Sequence, residues 1–149
     1  MSYVQILIHA IVRTYKSENT LPTDERIQFL YQDIWGIIKN KGGYMYRINS
    51  MSDHIHLLFT MPPIVALSDF MKALKASSSK IIKSVKGFEN FKAWGTGYAA
   101  LSCNLREKDT IVKYIINQQE HHKKVIFKNE YEAFIKEMGL EFDERDWNR

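Results

Sequence analysis

Hydrophobic and polar positions alternate in four stretches of the chain and recur at helical spacing in the stretches between. Tyr3 to Thr14 reads YVQILIHAIVRT. Val4, Ile6, Ile8, Ala10 and Val12 make one apolar face, and Gln5, Leu7, His9, Ile11 and Arg13 make a mixed one, the pattern of a first strand. After a polar loop at Lys16 to Thr20, Thr23 offers an N-cap ahead of an acidic first turn at Asp24 and Glu25. Ile27, Leu30, Ile34, Ile37 and Ile38 then keep helical spacing to about Lys41, where Gly42-Gly43 stops the helix. Tyr44 to Met51 and His54 to Met61 read as a hairpin turned at Ser52-Asp53 and halted by Pro62-Pro63.

A second helix is predicted over Leu67 to Val85. Leu67, Phe70, Leu74, Ile81 and Val85 fall on one side, and Lys72, Lys75, Lys83 and Lys86 on the other. Gly87 to Gly97 is irregular, and Tyr98 to Cys103 reads as a fourth strand. A third helix follows over about 107–126, then a short helix near 129–138 and a polar tail containing Trp147. The order β-α-β-β-α-β predicts an α+β, ferredoxin-like split βαβ fold with an antiparallel sheet. All 149 residues are expected to form one domain, with a core over about 1–104, a helix over about 107–126 and a C-terminal helix and tail over 128–149. That plan hosts many unrelated activities, so function has to be argued from particular residues.

Composition narrows the classes. A 45% hydrophobic content implies a packed globule, and the single cysteine, Cys103, excludes an internal disulfide framework or a cysteine-built zinc site. The N-terminus lacks a basic signal region and no apolar run approaches a membrane span, so a reducing cytoplasm is the expected compartment. The formal charge is +4, unevenly spread. Residues 61–88 hold five lysines against one acid, Asp69, whereas nine of the seventeen acids lie from Asp109 onward. A lysine face of this kind is either a solvated helix surface or a track for a polyanion.

Two stretches carry chemistry. In Asp53 to Met61 (DHIHLLFTM), strand alternation puts His54, His56 and Leu58 on one face and Ile55, Leu57 and Phe59 on the other. Two histidine Cα atoms about 7 Å apart can converge on one ion. The apolar face belongs to the core, so the histidines look at an active site or at solvent. In the third helix, Tyr114, Gln118 and His121 form a polar stripe beside Ile111, Val112, Ile115 and Ile116. A phenol can act as a covalent nucleophile, and a neutral amide oxygen is a hard metal ligand. The alternative is a tyrosine packed on the sheet with Gln118 in water. His9 reads as a half-buried sheet residue.

Together the stretches resemble the single-tyrosine HUH transposases of the insertion-sequence 200/605 group, including the REP-associated tyrosine transposases. The resemblance rests on His54-Ile55-His56, on the Trp94-Gly95-Thr96-Gly97-Tyr98 approach to the fourth strand, on Tyr114-Ile115-x-x-Gln118-x-x-His121-His122, and on Phe127-x-x-Glu130-Tyr131. It implies that His54, His56 and Gln118 bind one divalent metal, Mg²⁺ or Mn²⁺. Tyr114 would attack a DNA phosphate, giving a 5′-phosphotyrosine and a free 3′-OH. It also implies a homodimer that recognises hairpins in single-stranded DNA, with the tyrosine helix able to serve the partner's metal site. Lys72, Lys75, Lys83, Lys86, Arg13 and Arg47 are then candidate backbone contacts. Of His121 and His122, one is expected to pack and the other to contact DNA or the site. Ser102-Cys103-Asn104 departs from the commoner Ser-Val-Ser.

Rival readings meet obstacles. A histidine-triad hydrolase needs a histidine where Leu58 stands, paired His-x-Ser/Thr motifs are absent, and the third strand offers an RNA-binding sheet only Phe59. No Walker loop exists, since Lys41-Gly42-Gly43 lacks its spacing, and no nucleotide cofactor is expected. A non-catalytic single-stranded nucleic-acid-binding protein of the same fold is the remaining alternative.

Overall fold

The computed structural model describes residues 1–149. Four antiparallel strands, β1 (Leu7–Arg13), β2 (Tyr44–Met51), β3 (His54–Thr60) and β4 (Ala99–Cys103), form one sheet in the order β2-β3-β1-β4. Helices α1 (Gln28–Asn40) and α2 (Leu67–Ile82) cover one face. On the other lie α3 (Lys108–Ile116), α4 (Gln118–His121) and α5 (Phe127–Glu137), with α6 (Glu144–Trp147) near the C-terminus. This is the α+β ferredoxin-like plan expected from the chain order. No helix is long and apolar enough to cross a membrane.

Strand alternation sorts the central side chains as expected. Ile8, Ala10 and Val12 join Ile55, Leu57 and Phe59 in the main core of twenty buried residues under α1 and α2. Leu7, His9, Ile11 and Arg13, with His54, His56 and Leu58, face the second helical layer, and all seven are buried. The histidine face is therefore not open to bulk solvent: α3 to α5 roof over His54 and His56.

Several boundaries differ from expectation for local reasons. The first strand begins at Leu7 rather than Tyr3, because its partners end there: Leu7 pairs with Thr60 on one side and Cys103 on the other, and Pro62 and Pro63 cannot extend β3. Tyr3 is 92% exposed. Asp24, not Thr23, caps the first helix, accepting from the Arg26 backbone N–H, and a single 3₁₀ turn over Glu25–Ile27 leads into α1. Gly42, with φ +90, ends α1, and a Cβ on Gly43 would meet the Thr60 carbonyl at 2.5 Å. In α2 the buried line is Phe70, Leu74, Ser78 and Ile82, so the expected core residue Ile81 turns outward and the helix ends before Val85.

The helix expected over 107–126 is broken. A capping box at Asn104 and Glu107 starts it, and regular geometry lapses at Asn117. Asn49 of β2 supplies the reason: its amide donates to the carbonyls of Ile115 (2.8 Å) and Ile116 (3.3 Å), which a continuous helix would offer to its own N–H groups four residues on. After the break, α4 and the turn to Ile126 bring the next helix back over the sheet, starting at Phe127 rather than 129.

Ser78 occupies a core position because Trp94 needs it. The buried indole N–H donates to Ser78 Oγ at 2.9 Å, and that hydroxyl donates to the Leu74 carbonyl at 2.7 Å. Replacing Ser78 with alanine leaves the indole N–H without a partner and should destabilise the fold by about 1–3 kcal/mol. Urea unfolding of Ser78→Ala beside the parent protein measures this, and an unchanged midpoint would mean that the pair contributes nothing.

Candidate metal centre beside a tyrosine

On the second face, a polar cluster sits between two small apolar clusters, Leu7/Leu58/Ile115 on one side and Ile11/Ala99/Phe127/Tyr131/Phe134 on the other. β3 supplies His54 and His56, both fully buried. Past the break at Asn117, α4 supplies Gln118, also fully buried, while α3 brings Tyr114 and the following turn His122. From α5 comes Glu130, a 5% exposed acid on the same helix face as Phe127, Tyr131 and Phe134. The liganding atoms of His54, His56, His122 and Glu130 lie within 4.8 Å of one another.

Hydrogen bonds set the orientation of each group. His54 Nδ1 lies 2.6 Å from Asp53 Oδ1, so Nδ1 carries a proton and Nε2 faces the cluster. The ring stacks on Phe127, with centroids 3.5 Å apart and planes within 6°. His56 Nδ1 meets His9 Nε2 at 3.0 Å, while His56 Nε2 lies 3.2 Å from Glu130 Oε1. Burial, then the charge of His56, brings the His9 pKa down to about 3. Burial likewise lowers His56 to about 4 despite the hydrogen bond with Glu130, so both rings are neutral near pH 7.

Gln118 Nε2 donates to Glu130 Oε2 at 3.1 Å, which fixes the amide the right way round and leaves Oε1 toward His122 Nε2 (2.8 Å) and His54 Nε2 (3.5 Å). His122 also faces the Val125 carbonyl through Nδ1 at 2.8 Å. With acceptors at both nitrogens, this ring is a double donor. Burial opposes its charge, but the hydrogen bond and charge of Glu130 and the Val125 carbonyl hold its pKa above the ordinary histidine value. Burial would raise Glu130; hydrogen bonds from His122, His56 and Tyr114 outweigh it and keep the carboxylate ionised. The Tyr114 hydroxyl donates to Glu130 Oε2. Burial, then this bond to an anion, raises the phenol above its usual range. His121 lies 3.2 Å from Glu130 Oε2 through Nε2, outside hydrogen-bonding geometry.

This donor set fits a divalent cation. His54 Nε2, Gln118 Oε1 and Glu130 Oε1 converge on a common space, an arrangement that an ion satisfies: imidazole nitrogen suits divalent first-row metals, and the amide and carboxylate oxygens suit harder divalent ions. Cys103 stays outside the cluster. Beside it a cavity of about 420 Å³, lined by Leu101, Cys103, Thr110, Phe134 and Glu137 among others, reaches Tyr114 and Glu130 from the β4 side. Neither Tyr131 nor Tyr98, the other tyrosines of the recognised motifs, is so placed. Tyr131 is buried with the Arg13 guanidinium 5.5 Å from its ring, and Tyr98 lines a groove beside α2.

The expected DNA contacts are not gathered in one place. Lys72 and Lys75 line that groove of about 410 Å³ with Ser68, Ser79 and Tyr98, on the sheet face opposite the histidines. Lys75 is half-buried and donates to the carbonyls of Gly95 (2.7 Å) and Gly97 (2.8 Å); burial lowers its pKa. Lys83 and Lys86 are exposed beyond the end of α2. Arg47 is exposed in a different groove between α1 and β2. Arg13 is buried and donates to Thr96 O (3.1 Å) and Trp147 O (3.4 Å), tying the 94–97 segment and the C-terminus to β1.

Glu130 was not among the expected site residues, and of the His121–His122 pair it is His122 that joins the cluster. The signal was present for Glu130: an acid in line with Phe127, Tyr131 and Phe134 on the apolar side of a helix needs a buried partner.

A ferredoxin-like sheet thus carries paired histidines beneath a helix-borne tyrosine and a buried amide. The family model "Transposase IS200 like" matches residues 2–118, and the chain belongs to that family, whose members cut and transfer DNA strands. It is 27% identical over 123 residues to the ISDra2 transposase TnpA of Deinococcus radiodurans, covering 79% of this chain and 88% of that protein. A crystal structure of a protein described as a transposase from Deinococcus radiodurans R1 superposes with a TM-score of 0.60 at 26% identity, over 79% of this chain and 95% of the other. A REP-associated tyrosine transposase bound to a REP hairpin shares the fold, with a TM-score of 0.59 at 16% identity over 84% and 73% of the two chains.

The two arginines should separate in solution. Arg13→Met should cost about 2–3 kcal/mol through its lost hydrogen bonds, whereas Arg47→Met at an exposed site should stay within about 0.5 kcal/mol. Equilibrium unfolding distinguishes them, and equal stabilities would remove the structural role given to Arg13.

Proposed function

We propose that the protein is a metal-dependent single-stranded DNA endonuclease and strand transferase acting at hairpin-containing ends. The observation that carries this is the Tyr114 hydroxyl held against the same carboxylate that contacts His54, His56 and Gln118. The phenolic oxygen attacks phosphorus, the P–O3′ bond breaks, and the strand is left with a 5′-phosphotyrosine and a 3′ oxygen that takes up a proton. The phosphotyrosine linkage conserves the energy of the broken bond, so rejoining needs no nucleotide. Because Tyr114 rests as the phenol, its proton needs an acceptor, and Glu130 Oε2 already accepts it in a hydrogen bond. His54, His56 and Gln118 would hold one Mg²⁺ or Mn²⁺, which when bound polarises the scissile phosphate and offsets charge on its oxygens.

The exposed lysines of the α2 region, Lys72, Lys83 and Lys86, with Arg47, are the backbone contacts in this reading; Lys75 and Arg13 support the same surface by holding the 94–97 segment. A symmetric homodimer is proposed as the working unit, with the tyrosine helix free to act in either subunit. β4 favours it: as an edge strand carrying half-buried Ala100 and Leu101, with half-buried Tyr98 just before it, it gains from being paired or covered. Light scattering at tens of micromolar should give twice the 17.5 kDa chain mass; a monomer at that concentration removes the dimer.

End-labelled single-stranded DNA carrying the palindrome that flanks the coding region, with Mn²⁺, tests the chemistry. Tyr114→Phe keeps the ring but loses the reacting oxygen, so DNA binding should persist while cleavage and the covalent adduct vanish. His56→Ala should lose cleavage and recover part of it in excess Mn²⁺, and Gln118→Ala should fall between. An adduct that survives in Tyr114→Phe rejects the assignment. Replacing Lys72, Lys83 and Lys86 with alanine should flatten the log–log salt slope of binding by about 0.7 for each phosphate that is no longer neutralised. An unchanged slope would make these lysines a solvated face only.

A further inference from the structure

Glu130 is a carboxylate that the metal-binding pattern His54, His56 and Gln118 does not require, yet it sits at the centre of the cluster. Its side chain is 4% exposed, among Phe127, Tyr131 and Phe134, where an unpaired acid is strongly disfavoured. Oε1 lies 3.2 Å from His56 Nε2 and 3.6 Å from His54 Nε2. Neighbouring ligand atoms around an ion with bonds of about 2.1 Å are separated by about 3.0–3.5 Å. Oε1 therefore already stands from both imidazoles at about the distance of a fellow ligand. Two further donors hold it there: His122 Nε2 at 3.2 Å from Oε1, and Gln118 Nε2 at 3.1 Å from Oε2.

We propose that Glu130 is itself a ligand of the metal held by His54 and His56, making the centre a two-imidazole, one-carboxylate site in which Gln118 adds a neutral oxygen. The inference rests on the metal-dependent reading above and deepens it. One carboxylate then serves two partners, the ion through Oε1 and the Tyr114 hydroxyl through Oε2, so the nucleophile is positioned by the metal's own ligand. An anionic oxygen beside two imidazoles also favours Mn²⁺ over Mg²⁺, because imidazole nitrogen binds the later metal better. His122 is a positioning residue here: its Nε2 holds the oxygens of Glu130 and Gln118 together, and its Nδ1 is anchored on the Val125 carbonyl.

The test is a titration of the full-length protein with Mn²⁺ in the absence of DNA, read by calorimetry and by the EPR signal of free Mn²⁺. Glu130→Gln, nearly isosteric, should weaken binding by about tenfold or more, and Gln118→Ala by less than Glu130→Gln. His56→Ala is measured beside them. If His56→Ala loses Mn²⁺ and a folded Glu130→Gln binds it like the parent, the role of Glu130 is overturned while the histidine site stands. If His56→Ala also binds like the parent, both fall. A parent protein that binds Mn²⁺ but does not cut DNA would fail the functional reading alone. Should Glu130→Gln not fold, a crystal structure of the parent with Mn²⁺ decides. A Glu130 oxygen at bonding distance from the ion supports the proposal, and a carboxylate turned away from it overturns the proposal.

Discussion

A carboxylate buried in an apolar layer constrains everything built around it. Glu130 has to be ionised to accept what surrounds it, and an ionised acid among aromatic rings is tolerable only when donors cover both oxygens. Tyr114, Gln118 and His122, from the 114–122 stretch, and His56, from β3, provide that cover. Each segment must arrive at its place for the others to be satisfied, so the second face of the sheet is organised by polar pairing as much as by hydrophobic contact. The two apolar clusters flanking it are small, with three and five buried residues. They exclude water and stiffen the rings, as Phe127 does against His54, but they do not by themselves choose which side chains meet.

The break at Asn117 is the local device that lets this happen. A straight helix from residue 107 to 126 would carry Gln118 and His122 along the helix axis at regular intervals. Asn49, reaching from β2 to the Ile115 and Ile116 carbonyls, takes acceptors out of the helical ladder and fixes where the chain bends. Gln119 is held at the same point, donating to Asn49 Oδ1 and to the Ser50 carbonyl. The strand that pairs with β3 thus also sets the geometry of the helix that faces β3.

A comparable economy governs the sheet's other end. Arg13 and Lys75, two cations that would ordinarily be free for an anionic partner, are engaged by carbonyls of the 95–97 segment and, for Arg13, by the C-terminal turn. Their charges remain in the neighbourhood of the α2 groove and contribute to its field, while their hydrogen-bonding capacity is used within the fold. Placing long-range charge and short-range hydrogen bonding in the same side chains keeps the groove rigid, and leaves mobile contacts to the exposed lysines farther along.

Alternation of period two and helical spacing, read along the chain alone, determined the four strands, their antiparallel order, the first two helices and which face of β3 carries His54 and His56. Those signals are local, because burying one face of a strand or helix imposes its period on nearby residues. Local spacing likewise put Tyr114 and Gln118 on one patch, and the motif they share with His54 and His56 identified the family. What the chain could not reveal was who meets whom across segments distant in sequence. The burial of Arg13, the engagement of Lys75, the bend imposed by Asn49 and the convergence of His9, His122 and Glu130 on the paired histidines all depend on side chains separated by tens of residues. Only the folding of α3 to α5 over the sheet decided them, because a buried polar group takes its partner from whatever the tertiary packing brings within hydrogen-bond reach.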